Sequence, residues 1–287
     1  GPVNPIQPPS AMKLFQRLIW AALAVALLVG SLQTLVQHRW AVPLILKAET
    51  FEDQKLSSPE PAHAHAAQAA VHDHDHDHQP SATEAWAPQD GAERSLWTWV
   101  ANVLHGFAMA LLALVALCLW VWRRAANTPR WALALGVAAA GFLSLHLWPA
   151  LGLPAEIPGM DAARLGSRQG WWLLAAGGAA AACAALAYGR GAWRWAAAVV
   201  GLVLPFAVGA PHIASDPLAG FGPEAQQVLR DLGQRFVWVT HGIAVGFWLS
   251  LGMASAWAFT RWVREALPLA APSLAVNAAT PSEGLKP

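Results

Sequence analysis

Charged residues are scarce in this chain of 287 residues. Asp, Glu, Lys and Arg together make up 12% of it, against roughly 25% in an ordinary soluble domain. Hydrophobic residues make up 56%. Such a chain has too little charge to cover a water-facing surface, so most of its apolar surface must face lipid or other helices. The composition therefore excludes an ordinary soluble domain and predicts a membrane protein.

Motifs of several enzyme classes are also missing. The chain has no GxxxxGK[ST] sequence of a P-loop ATPase, no HExxH motif and no GxSxG motif. Its two cysteines, Cys118 and Cys183, lie inside apolar runs and form no CxxC pair. No run of Lys and Arg is longer than two residues, so no nucleic-acid partner is predicted. We therefore predict no catalytic residue, no permanently bound cofactor and no enzyme activity.

Long apolar stretches are what the chain has instead. Each approaches the ~20 residues that a helix needs to cross a ~30 Å hydrocarbon core. Tryptophans recur at their ends, as in an interfacial aromatic belt, and Pro205 is expected to kink the fifth stretch. The predicted fold class is all-α, a polytopic transmembrane helix bundle with six spans, at 14–37, 96–122, 131–148, 171–188, 193–211 and 236–259.

Positive charge sets the expected orientation of these spans. Ten of the 18 Lys and Arg residues fall in the shorter segments at one end of the spans, which predicts that both termini are cytoplasmic. Residues 1–11 are expected to be a non-native or extension segment before Met12. Residues 12–262 form the membrane domain, with a periplasmic loop at 39–95, and residues 263–287 form a disordered tail.

The loop at 39–95 contains two histidine-rich tracts, Ala-His-Ala-His at 62–65 and Val-His-Asp-His-Asp-His-Asp-His at 71–78. Imidazole nitrogens and carboxylate oxygens suit Zn, Ni, Co and Cu ions. Neutral imidazole is required, so metal capture should weaken as the pH falls through ~6.5. A solvated low-complexity linker is the alternative. The predicted metal ligands here are His63, His65, His72, His74, His76 and His78.

The other five histidines all fall at the outer surface or in the outer half of the predicted spans: His38, His105, His146, His212 and His241. An ionisable group inside a span is costly and usually faces a cavity or a partner, although a single one is more often a packing residue. Five on one side, below a histidine-rich loop, favour an entry route for a metal ion. The candidate inner ligands are His105, His146, His241 and Glu156.

Three prolines and two glycines follow His146 before Asp161, which predicts a rigid, non-helical loop after the third span. This loop would hold Glu156 just outside the membrane and complete a site with His146. The alternative is a loop that merely reverses the chain. His212 follows Pro211 and is expected to lie in a loop and to matter much less.

Several of these stretches together resemble the CbtA family, whose members are predicted cobalt transporter subunits of bacterial membranes. The resemblance runs from about Met12 to Phe259 and is carried by Phe15–Trp20, Val42–Ile45, Ala48–Glu52, Trp86–Arg94, Asn102 and, above all, His146–Met160. It implies the bacterial inner membrane, cobalt uptake linked to cobalamin synthesis, and a small single-span partner, CbtB. It also implies five spans, and a His after the Pro of the fifth helix, where this chain has Phe206.

The sequence thus predicts import of cobalt, with nickel and zinc as the other candidate ions. Two alternatives stay open. One is a membrane protein that loads metal onto a partner or senses it without transport. The other is a membrane oxidoreductase that binds haem between paired histidines such as His105 and His241.

Overall fold

A computed structural model describes residues 10–55, 88–124 and 127–267. The described residues contain helices and no strand, which confirms the all-α class. The histidine tracts, residues 1–9 and most of the predicted tail lie outside them. The helices are α1 (Ser10–Trp40), α2 (Val42–Glu49), α3 (Ala92–Arg123), α4 (Arg130–Phe142), α5 (Trp148–Gly152), α6 (Leu165–Tyr188), α7 (Trp193–Val208) and α8 (Pro223–Ala258), with π-helical turns at Leu143–Leu147 and Phe259–Val263.

Within the described residues, five helical stretches are long and apolar enough to cross a membrane: Ala11–Trp40, Ala92–Arg123, Arg130–Gly152, Leu165–Tyr188 and Pro223–Ala266. The remaining predicted span corresponds to α7. Its 16 residues give a length of about 24 Å, short of a ~30 Å core. The indole N–H of Trp171, early in α6, donates to the carbonyl of Pro205, late in α7, so the two helices run antiparallel. Six crossings stay a prediction.

Four helices, α1, α3, α4 and α8, share one apolar core and form what we call the scaffold. Its fully buried side chains include Val29, Leu114, Leu251 and Phe259. The described part of this core contains no residue of α6 or α7. Those two helices instead pack on each other as the α6–α7 hairpin, where Gly178 lies against the carbonyl of Gly201 so closely that any Cβ would overlap it.

A second apolar core lies beyond one end of the scaffold and forms what we call the cap. It joins α2, the connections before α6 and before α8, and the first turns of α8, with buried Ala48, Ile157, Leu218, Phe221 and Leu229. This end of the molecule, which is periplasmic in the predicted orientation, is called the outer end below.

Polar contacts tie the segments of the cap together. Lys55 Nζ donates to the Gly159 carbonyl at 3.0 Å and to Asp161 Oδ1 at 2.7 Å. The backbone amide of Leu218 and the guanidinium of Arg230 both hydrogen-bond the Asp216 carboxylate, and they hold the pKa of Asp216 below its usual value. The cap thereby attaches the segment before α6 and the segment after α7 to α2 and α8.

The helices extend beyond the predicted spans at two points. The chain is helical as far as Gly152, whereas a non-helical loop was predicted after the third span, at 131–148. The helix continues because a π-helical turn accommodates Pro149. The last helix begins at Pro223, well before the predicted span at 236–259. Its first turns bury Leu229 and Leu232 in the cap and are therefore stabilised outside the apolar stretch on which the prediction relied.

Candidate metal site

His146 lies in the π-helical turn that joins α4 to α5. Pro149 has no amide hydrogen, and in a continuous α-helix its ring would clash with the carbonyl of Leu145. The wider turn relieves this clash, and the amide of Trp148 bonds to the carbonyl of Leu143, five residues back. Such turns occur frequently at functional sites. The local sequence therefore determines the direction in which His146 points.

His241 lies on α8 and meets His146 across the interface between α8 and the π-helical turn. His146 Nε2 and His241 Nδ1 are 2.9 Å apart, with the rings at 86° to each other. Both side chains are half-buried. The Phe142 ring lies tilted by 30° against the His146 ring, at a centroid distance of 5.4 Å. The Trp238 ring meets the His241 ring edge-on, at 6.1 Å. Two imidazoles far apart in the chain thus converge between aromatic walls.

The spacing of the two nitrogens suits two ligands of one metal ion. With metal–nitrogen distances of ~2.1 Å and an angle of roughly 90–109°, ligand nitrogens lie ~3.0–3.4 Å apart. In the metal-free pair one ring donates a hydrogen bond to the other. An ion can bind both nitrogens once the donor ring carries its proton on its other nitrogen and both rings have turned so that their lone pairs point to the ion. Among the described residues no group of three or more His, Cys, Asp and Glu is arranged to hold an ion, so water or another ligand must complete the coordination.

The other predicted inner ligands have different neighbours. The His105 ring on α3 packs against Phe247 of α8, at a centroid distance of 5.2 Å. Glu156 Oε2 accepts a hydrogen bond from Arg168 at 2.9 Å, so its carboxylate is already paired. His38 and His212 are exposed. The ligand roles of all these residues stay predictions, including those of His146, His241 and the histidine tracts.

Sequence reasoning missed the aromatic walls of the pair. Phe142 precedes His146 by four residues, and Trp238 precedes His241 by three. Both spacings put the two side chains on one face of a helix, so this signal was present in the sequence. The haem alternative paired His105 with His241, whereas the structure brings His241 against His146.

Comparison with known families identifies the chain. A family model described as "Probable cobalt transporter subunit (CbtA)" matches residues 15–260. Because this match covers most of the chain, the protein belongs to the CbtA family, which confirms the resemblance seen in the sequence. Neither the curated proteins nor the solved structures give a significant match.

Proposed function

We propose that this member of the CbtA family imports a divalent transition-metal ion, cobalt foremost, across the bacterial inner membrane. The family's description as a probable cobalt transporter subunit and the five long apolar helices support a multi-pass subunit of a transporter. A small single-span subunit of the CbtB kind would complete the transporter, and the imported cobalt would supply cobalamin synthesis. This function makes the chain a carrier of metal and not an enzyme.

The observation that carries the proposal is the contact between His146 and His241 in the outer half of the bundle. Imidazole nitrogen suits cobalt, nickel and zinc, whereas magnesium and calcium prefer oxygen ligands. A structural metal site usually has four protein ligands. Two protein ligands bind an ion less tightly, which suits a transported ion because the ion must leave again.

The histidine tracts would act before the pair. Six histidines tethered to the outer end raise the local concentration of metal without forming the path itself. The pair would then take the ion into the membrane-spanning part. A protein that only loads metal onto a partner could use the same two steps, so a measured flux is needed to separate the two functions.

Cobalt uptake by cells grown without added cobalt tests the proposal. His146→Ala and His241→Ala should each abolish uptake at every metal concentration, because each removes one of two ligands. Both variants should still insert and accumulate normally. His212→Ala is the matched control, since it removes an exposed loop histidine, and it should retain most of the uptake.

Two results would contradict the proposal in different ways. Equal, mild effects of His146→Ala and His212→Ala would mean that His146 is a packing residue and that the site lies elsewhere. Metal binding by purified protein without flux into reconstituted vesicles, with its partner subunit present, would instead support the loading or sensing function.

A further inference from the structure

The scaffold is internally rigid. In its outer half, Asn102 Nδ2 of α3 donates to Thr34 Oγ1 and Gln37 Oε1 of α1, at 2.9 and 2.7 Å. Hydrogen bonds between polar side chains hold membrane helices together. Between α8 and α4, Gly252 lies against the carbonyl of Ala134 so closely that a Cβ would overlap it. These contacts fix α1, α3, α4 and α8 relative to one another.

The scaffold also blocks the direct route inward from the histidine pair. Trp248, two turns after His241, covers Gly141 with its ring and leaves no space for even a Cβ there. Further inward, Gly252 of α8 lies directly against the backbone of Ala134 in α4. The surrounding buried side chains are apolar. A hydrated or imidazole-bound ion cannot pass between α4 and α8 in this arrangement.

The α6–α7 hairpin is held firmly at its outer end. Trp148 of α5 and Trp171 of α6 both pack edge-on against Phe206 of α7. Their indole N–H groups donate to the carbonyls of Leu202 and Pro205, each at 2.9 Å. The cap adds a backbone hydrogen bond of 2.8 Å between the two hairpin connections, from Asp161 to Pro217.

Within the part of the chain that the structure describes, the inner end of the hairpin makes longer contacts with the scaffold than its outer end makes with α5. Among the described residues, Arg124 Nη2 of α3 reaches the Gly189 carbonyl at 3.4 Å, which is near the limit for a hydrogen bond. The Trp120 and Tyr188 rings meet with centroids 6.1 Å apart. The two helices of the hairpin are thus closely packed on each other. The hairpin is held more tightly at its outer end than at its described inner end.

We infer that the α6–α7 hairpin pivots at its outer end and swings its inner end away from α3, which opens a path from the histidine pair to the inner face. The pivot is the π-helical turn Leu143–Leu147, because α4 on one side of it belongs to the scaffold and α5 on the other side is clamped to the hairpin. His146 lies in the pivot and His241 in the scaffold, so the swing changes the site as it opens the path. Many transporters move one bundle against another around a site on a broken helix.

Reversible cross-linking of the inner end tests this inference, which rests on the proposed function. In a background with Cys118→Ala and Cys183→Ala, the pair Trp120→Cys and Tyr188→Cys would be joined by a bis-methanethiosulfonate reagent that a reductant releases. Cobalt uptake would be measured in membrane vesicles that contain the whole transporter. The matched control joins Arg17→Cys to Glu265→Cys. It links α1 to the short helical turn Arg264–Ala266, which follows α8 and is flanked by Val263 and Leu267 of the scaffold core.

We expect the hairpin cross-link to lower uptake about 10-fold or more, because it prevents the rigid-body motion, and reduction to restore it. Cobalt binding should persist in the cross-linked protein, since the pair lies at the fixed end. The scaffold cross-link should leave uptake within about twofold of the unlinked protein. Unchanged uptake after complete hairpin cross-linking would overturn the inference. Absence of uptake in the unlinked background and in the unaltered protein would contradict the proposed function instead.

Discussion

Among single residues, His146 and Glu156 differ in their present partners. His146 contacts another imidazole, that of His241, whereas Glu156 contacts the guanidinium of Arg168. His146 Nε2 and His241 Nδ1 face each other across one hydrogen bond, and both can bind an ion when the donor ring carries its proton on its other nitrogen. Glu156 faces a permanent positive charge on Arg168. An ion that used Glu156 would have to displace this guanidinium. The geometry therefore favours the imidazoles as ligands and gives Glu156 a role in holding the connection before α6.

Substitutions of Glu156 and Arg168 distinguish a role of Glu156 as a metal ligand from a role as the ion-pair partner of Arg168. Glu156→Gln and Arg168→Met should have the same effect, because each breaks one partly exposed ion pair, worth ~0–1 kcal/mol. We expect uptake within about twofold of the unaltered protein in both variants, measured at saturating cobalt, with a small decrease in thermal stability. Abolished uptake in Glu156→Gln alone would show that Glu156 is a ligand, as the sequence predicted.

The sequence identified His146 and His241 as candidates but could not predict their contact. The two residues are 95 positions apart, and whether their rings meet depends on the depth and rotation of two helices. The rotation of His146 is set by a π-helical turn, which hydropathy does not reveal. The presence of Pro149 was visible, and it was interpreted as the beginning of a loop because prolines usually end helices.

Among the helices, α4 and α5 form one broken helix whose two parts pack on different neighbours. A regular helix could not make both contacts at once. Gly141 in α4 is fixed under Trp248 of α8. Trp148 in α5 is fixed to Leu202 of α7. The π-helical turn between them supplies the extra residue that lets both contacts form, and it places His146 where the scaffold and hairpin meet.

Restoring the missing amide should therefore disturb the site. In Pro149→Ala, the new N–H can bond to the carbonyl of Leu145, and loss of the extra residue turns neighbouring segments by about 100° relative to each other. Because both flanks are fixed, residues 143–147 must absorb this rotation. We expect cobalt affinity, measured by equilibrium dialysis, to fall about 10-fold or more, as when ligand orientation is lost in other metal sites.

Pro154→Ala is the control for this prediction, because Pro154 lies beyond the helix in the connection to α6. It should bind cobalt as the unaltered protein does. Equal affinities of the Pro149→Ala and Pro154→Ala variants would show that the π-helical turn does not position His146.

The apolar stretches predicted most of the spanning elements, because about 20 apolar residues leave few alternatives to a membrane helix. Elements outside the apolar core were harder to predict. The first turns of α8 carry charged residues such as Arg230, and they are helical because Leu229 and Leu232 pack into the cap. This packing depends on α2 and on two connections elsewhere in the chain, and so no local pattern could reveal it.

At the scale of the whole molecule, the protein consists of a rigid scaffold, a hairpin and a cap that joins them at the outer end. The histidine-rich tracts follow Lys55 and precede Arg94 in the chain, and both of these residues are bound at the outer end. Lys55 is held to the cap by Asp161 and Arg94 to α2 by Glu49, each through an ion pair of 2.7 Å. The two described residues that flank the histidine-rich segment are thus both held at the outer end of the molecule.

The central claim is that His146 and His241 together bind the transported ion. Cobalt X-ray absorption of purified protein tests it most directly when His63, His65, His72, His74, His76 and His78 are each replaced by Asn, so that the tracts do not contribute. We expect one cobalt per chain with about two imidazole ligands at ~2.1 Å, and loss of the imidazole signal in His241→Ala but not in His212→Ala. A cobalt spectrum without imidazole, or one that His241→Ala leaves unchanged, would contradict the claim.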